Sequence, residues 1–110
     1  MKPIHRLRSS SDFAHLFARG RRMESPLFRA VATPNRLTRL RLACVVSRGV
    51  DKRAVVRNRL RRRTRQWVVR NGDALKLPFD VAIVFKAGAG CAPRNALYEE
   101  LEGMFRRLGR

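Results

Sequence analysis

The pattern of apolar positions divides the chain into six segments. Leu7 to Arg19 predicts a short helix: Ser9, Ser10 and Ser11 offer N-caps, and Asp12 suits the first turn. Phe13, Leu16 and Phe17 fall at i, i+3 and i+4 on one face. Gly20 follows as a C′ residue. Leu27 to Thr33 predicts a strand ended by a Pro34-Asn35 turn. Leu40 to Ser47 predicts a second strand, with Leu40, Leu42, Cys44 and Val46 on one side and Arg41, Ala43, Val45 and Ser47 on the other. The two are expected to pair as a hairpin through Asn35 to Arg39.

Ala54 to Asn71 is the long helix. Val56, Leu60, Thr64 and Trp67 share an arc of about 80°, with Arg61, Arg65, Asn58 and Arg62 on the outer arc and Gly72 as the C′ glycine. Phe79 to Lys86 predicts another strand, with Phe79, Val81, Ile83 and Phe85 on one face. After an Ala/Gly loop, a last helix starts at Pro93 or Asn95. Its stripe is Leu97, Leu101, Phe105 and Leu108, and Glu99, Glu100 and Glu102 precede Arg106 and Arg107 in the order that complements the helix dipole. Helix, strands, helix, strand, helix is an α+β sandwich of one sheet and packed helices, and 110 residues suit one domain.

Charge adds a partner to this picture. There are 26 Lys and Arg against 8 Asp and Glu, a net charge of +18. Residues 36–70 hold thirteen of the basic residues and a single acid, Asp51, whereas residues 71–110 are nearly balanced. A local surface this basic fits a polyanion, and arginine, which outnumbers lysine 22 to 4, suits phosphate forks and base stacking. Residues 57–65 concentrate it: Arg57-Asn58-Arg59-Leu60-Arg61-Arg62-Arg63-Thr64-Arg65 has six arginines and no acid. Like charges at i, i+4 oppose helix formation, and a polyanion laid along the helix relieves that repulsion. Phe13 and Phe17 have two compatible readings, core packing and a stacking platform for unpaired bases.

Several classes are disfavoured. No stretch approaches the roughly 18 apolar residues of a membrane span, and Met1 to Arg6 leads into no apolar h-region, so a cytoplasmic protein is expected, with no membrane partner and no obligate protein partner. Cys44 reads as a small core residue and Cys91 as a loop residue, both reduced. No His/Cys pair has ligand spacing, so no metal site is expected. His5 and His15 lack carboxylates at motif spacing, and Ser47 and Cys44 lack the context of a nucleophile. No catalytic residue is assigned; if the chain takes part in catalysis, another component supplies the chemistry.

The run Val45-Val46-Ser47-Arg48, then Arg53-Ala54, then Arg57 to Arg65, resembles the RNR signature of the bacterial ribonuclease P protein subunit. Arg6-Leu7, Asp12-Phe13, Phe17 and Gly20 resemble that family's first helix. Phe79 to Val84 with Lys86 and Gly88 resembles its last strand and loop, and the Leu97 to Leu108 stripe its last helix. The resemblance implies a single RNA-binding domain over residues 1–110 with an αβββαβα fold of the ribosomal protein S5 domain 2 type: a central, mostly antiparallel sheet, a short extra strand near Arg21 to Glu24, and a left-handed βαβ crossover through the RNR helix. It implies support of an RNA-catalysed endonucleolytic cleavage that removes the 5′ leader of precursor tRNA, with Mg²⁺ bound mainly by RNA. The partners implied are the catalytic RNA and precursor tRNA. By position, Arg57, Asn58, Arg59 and Arg62 would contact the catalytic RNA, with Arg48, Lys52 and Arg53 adding phosphate contacts. Phe13, Phe17, Arg61, Arg65 and Lys86 would line the cleft for the leader. Val31 stands where some members carry an aromatic residue, Gly49 replaces a usual basic residue, and Lys86-Ala87 stands where a more basic pair is common. The rival readings are a structural ribosomal-type RNA-binding protein, a DNA-binding regulator and a stand-alone nuclease; the last two lack, respectively, a mixed polar recognition helix and an acid/base set.

Overall fold

The computed structural model describes residues 5–7, 10–37, 39–71, 74 and 76–109, without the side chains of His5 and Arg6. In chain order the elements are β1 (His5–Arg6), α1 (Ser10–Arg19), β2 (Arg21–Glu24), β3 (Phe28–Pro34), β4 (Arg41–Val45), α2 (Ala54–Arg70), β5 (Phe79–Phe85) and α3 (Arg94–Leu108), with a short 3-10 turn at Ala89–Cys91 before α3. The strands form one sheet in the order β1-β4-β5-β3-β2. β2 with β3 and β3 with β5 are antiparallel; β4 with β5 is parallel, joined through α2, and the two-residue β1 adds a second parallel pair with β4.

The expected hairpin between Leu27 to Thr33 and Leu40 to Ser47, here β3 and β4, does not form. β5 lies between β3 and β4 and pairs with both. The reason is burial: Val81, Ala82 and Ile83 are buried on consecutive positions, so β5 needs neighbours on both edges and cover on both faces. The connection after β3 is tied to β5, because the Asn35 N–H donates to the Pro78 carbonyl at 2.8 Å and its side-chain amide donates to Asp80 at 2.9 Å. β1 was not expected, since two residues carry no periodicity; the short strand at Arg21–Glu24 was, through the resemblance.

Alternation gives the sheet two unlike faces. On one, Phe28, Ala30, Ala32, Leu42, Val81, Ile83 and Phe85 meet α2 and α3 in the main core. Val56, Leu60, Thr64 and Trp67 are all buried, as their arc predicts, and Trp67 stacks on Phe105 with centroids 5.3 Å apart. The Thr64 hydroxyl donates to the Leu60 carbonyl at 2.8 Å, which lets a polar side chain sit fully buried. Cys44 packs against this core as expected, while Cys91 is exposed. α2 ends at Arg70 on an Asn71 cap; the Gly72 expectation lies outside the described residues.

On the other face, α1 covers only part of the sheet, through Leu16 and the partly buried Phe13 over Val31, Ala82 and Ala43. Gly20 is what allows this approach. It is not in the left-handed conformation, which among the described residues only Gly88 adopts; a Cβ on Gly20 would lie 2.4 Å from the Leu16 carbonyl oxygen and 2.5 Å from Val31 Cγ1.

Candidate nucleic-acid interface

The strand registers resolve the α1 face into three cross-strand rows. The first is Arg41–Asp80–Thr33 and the second Ala43–Ala82–Val31–Arg22. The third is Val45–Val84–Arg29–Glu24, with Lys86 just beyond the end of β5. α1 sits over the first two. Its start is held to the first row by Arg41, which reaches Asp12 at 3.2 Å and forks onto Asp80 at 2.6 and 2.7 Å. Its body covers the second row. The third row stays open: Val45 and Val84 are half-buried, and Arg29 and Glu24 are exposed.

The helix over the second row carries an aromatic pair, and the third row meets a cation at each end. Phe13 and Phe17 are stacked, with centroids 6.2 Å apart and planes 12° apart. Phe13 joins the smaller core, while Phe17 is 38% exposed. The two readings of the pair therefore divide between the two rings: one packs, the other presents a π face. At the β4 end, Arg61 of α2 donates to the Val46 carbonyl at 3.3 Å and to the Asn58 side-chain oxygen at 3.1 Å. It links the basic helix to the edge of the row while keeping its charge, since both partners are neutral. Arg65 follows one helical turn later on the same side of α2. At the β2 end, Lys86 does not project freely. It donates to Glu24 at 2.6 Å and to the Ser25 carbonyl at 2.8 Å.

The residues expected to contact the catalytic RNA separate in the structure. Arg62, Asn58, Arg48 and Lys52 are exposed and Arg57 is half-buried. Arg59 instead turns toward the loop before α3 and donates to the Gly90 carbonyl at 3.0 Å. Arg53 forks onto Asp51 at 3.1 Å through both nitrogens, and this contact holds the Asp51 carboxyl below the usual Asp range. Burial lowers the pKa of Arg63, followed by repulsion from Arg59 and Arg94. Sequence reasoning missed Glu24, Arg29, Val45 and Val84. Strand alternation placed Val45 on this side of the sheet, and Arg29 shares its parity with Val31; that these side chains form one row became visible only with the inter-strand register.

The family model for Ribonuclease P matches residues 1–109. The chain belongs to the ribonuclease P protein family. The ribonuclease P protein component of Synechococcus elongatus is 36% identical over 108 residues, covering 94% of this chain and 88% of that protein. The one from Chromobacterium violaceum is 30% identical over 106 residues, covering 96% and 87%. The solved ribonuclease P protein of Thermotoga maritima superposes with a TM-score of 0.83 at 25% identity, over 94% of this chain and 96% of that one. That of Staphylococcus aureus gives 0.84 at 20% identity over 94% of each, a likeness of fold. The α+β class expected from the resemblance is thereby met. This chain is the protein component of ribonuclease P, a tRNA-processing endoribonuclease complex, and its RNA partner is the ribonuclease P RNA. Membership in this family sets aside the ribosomal-type reading. No helix among the described residues is long and apolar enough to cross a membrane.

Proposed function

We propose that this ribonuclease P protein holds the single-stranded 5′ leader of precursor tRNA on the open third row, while the solvent face of α2 lies on the catalytic RNA. The observation that carries the reading is the exposed Phe17 ring on α1, the helix that covers the second row, together with the uncovered third row whose β4 end Arg61 reaches. Unpaired bases need a π surface next to phosphate-binding charge, and α1, the sheet and α2 supply both within one groove. In this reading Arg57, Asn58, Arg62, Arg48 and Lys52 face the catalytic RNA, and Arg59 and Arg53 position that surface through Gly90 and Asp51. The protein works in the cytoplasm as one RNA-binding unit.

Hydrolysis is assigned to the RNA, with its Mg²⁺ held mainly there. Among the described residues, Asp12, Glu24, Asp51, Asp80 and Glu102 are each ion-paired to arginine or lysine, which supports that assignment. The chain's contribution is to hold the leader and to offset repulsion between two polyanions.

The test is Phe17→Ala in the reconstituted holoenzyme. A lost stacking contact is worth about 1–3 kcal/mol per base, so precursor tRNA affinity should fall roughly fivefold or more, with mature tRNA affinity unchanged. A variant that melts like the wild type and loses both affinities equally, or neither, would show that Phe17 only packs.

A further inference from the structure

The positive charge of the open row is free of any acid at one end only, beside Arg61; at the other end two cations share one acid and the net charge is still positive. That acid is the carboxylate of Glu24, on the edge strand β2. Its Oε1 takes Arg29 Nε at 2.5 Å and its Oε2 takes Lys86 Nζ at 2.6 Å. Hydrogen bonds from Lys86 and then Arg29 hold its pKa below the ordinary Glu value, so it is a fixed negative charge at neutral pH. It does not sit on a loose loop. Glu100 of α3 grips the turn that follows it, accepting from the Ser25 hydroxyl and from the Leu27 N–H at 2.8 Å. The two ends of the row thus differ in kind. Arg61 has neutral partners and its full charge remains available, whereas Lys86 and Arg29 share an acid that is itself 55% exposed.

We propose that Glu24 is a specificity-determining residue that closes the groove at the β2 edge, occupying the position in which a phosphate of the leader would otherwise meet Lys86 and Arg29. The inference rests on the leader reading above. The row crosses four strands, three spacings or roughly 14 Å, so only a short stretch of single strand lies between Arg61 and Glu24. A strand that continues across the β2 edge must either displace the carboxylate from both cations or set a phosphate beside it, and a like-charge contact of this sort discriminates against the longer grip. The groove then holds a short stretch of the leader and leaves the remainder ungripped, whatever its length.

The experiment compares Glu24→Gln with wild type in the reconstituted holoenzyme, on precursor tRNAs whose leaders are graded in length. Short leaders should bind alike. Leaders long enough to cross the row should bind the variant about threefold tighter at low salt, with the log–log salt slope steeper by about 0.7 for each phosphate gained. Glu24→Lys should enlarge the gain with the same length dependence. If the ion-paired triad only staples β2 to the sheet, both variants will lower the melting temperature and leave leader affinity flat or reduced at every length, which overturns the proposal. Phe17→Ala in the same assay separates the two readings. If it weakens leader-dependent binding while Glu24→Gln changes nothing, the groove stands and the stop at Glu24 falls. If Phe17→Ala leaves leader binding untouched, both fall together.

Discussion

Asp80 is a carboxylate near the start of the central strand, only 6% exposed. Burial alone would raise its pKa, but hydrogen bonds from Arg41 and Asn35 more than offset this and leave it below the ordinary Asp value. A folded-state pKa below the unfolded one contributes stability that is present above the unfolded value of about 3.9 and is lost as pH falls through the folded value. Asp80→Asn should therefore cost about 2–3 kcal/mol at neutral pH, measured by urea melts, and the gap to wild type should narrow steadily below the normal Asp range. A gap that stays constant down to strongly acidic pH would show that the carboxylate charge is not what Arg41 holds. Nothing in the sequence marked Asp80 out, because its partner is 39 positions away. The same holds for Lys86: its residue type and position after a strand were legible, but its partner Glu24 comes from the edge strand β2, 62 positions earlier. Side chains read locally, such as Val56, Leu60 and Thr64, landed where their spacing put them, since one helix fixes them all.

At the scale of elements, periodicity was a good guide and pairing was not. α2, β5 and α3 lie within a residue or two of their expected bounds because their apolar stripes are long. The hairpin was expected because sequential strands usually neighbour one another, and it failed because β5, buried on both faces, takes the centre between them. α2 illustrates a subtler limit. Its motif marks a basic surface, yet a run of arginines does not say which of them face outward. Arg62 is exposed, whereas Arg59 is half-buried and ties α2 to the Gly90 carbonyl, with its charge uncancelled. Arg62→Ala should weaken catalytic-RNA binding and lower its salt slope by about one, with stability within about 0.5 kcal/mol of wild type. Arg59→Ala should destabilise the fold by about 1 kcal/mol through the lost tie between α2 and the loop before α3. Salt-titrated binding and urea melts on the two variants decide the matter. Equal destabilisation, or an unchanged slope for Arg62→Ala, would refute the division of α2 into a tying side and a binding side.

For the molecule as a whole, the net charge of +18 on 110 residues makes the fold a partner-dependent one in electrostatic terms. α2 carries seven arginines and no acid, and the Arg63 guanidinium, already disfavoured by burial, is further crowded by Arg59 and Arg94. Self-repulsion of this kind opposes the compact state, and salt screens it over a Debye length of about 8 Å at physiological ionic strength. The ion pairs respond in the opposite direction, but the exposed ones are worth at most about 1 kcal/mol each, and the Asp80–Arg41 pair is shielded from salt by its partial burial. Repulsion should win, so the melting temperature of the free protein should rise with added salt. Bound to the ribonuclease P RNA the sign should reverse. A ligand at a hundredfold excess over its Kd adds about 2.7 kcal/mol, roughly 10 °C for a chain of this size, and that gain shrinks as salt weakens the phosphate contacts. Thermal melts of the free and RNA-bound protein across a salt series should thus converge from opposite directions. Parallel slopes would mean that the charge of the middle third of the chain is balanced within the fold and is not what the RNA neutralises.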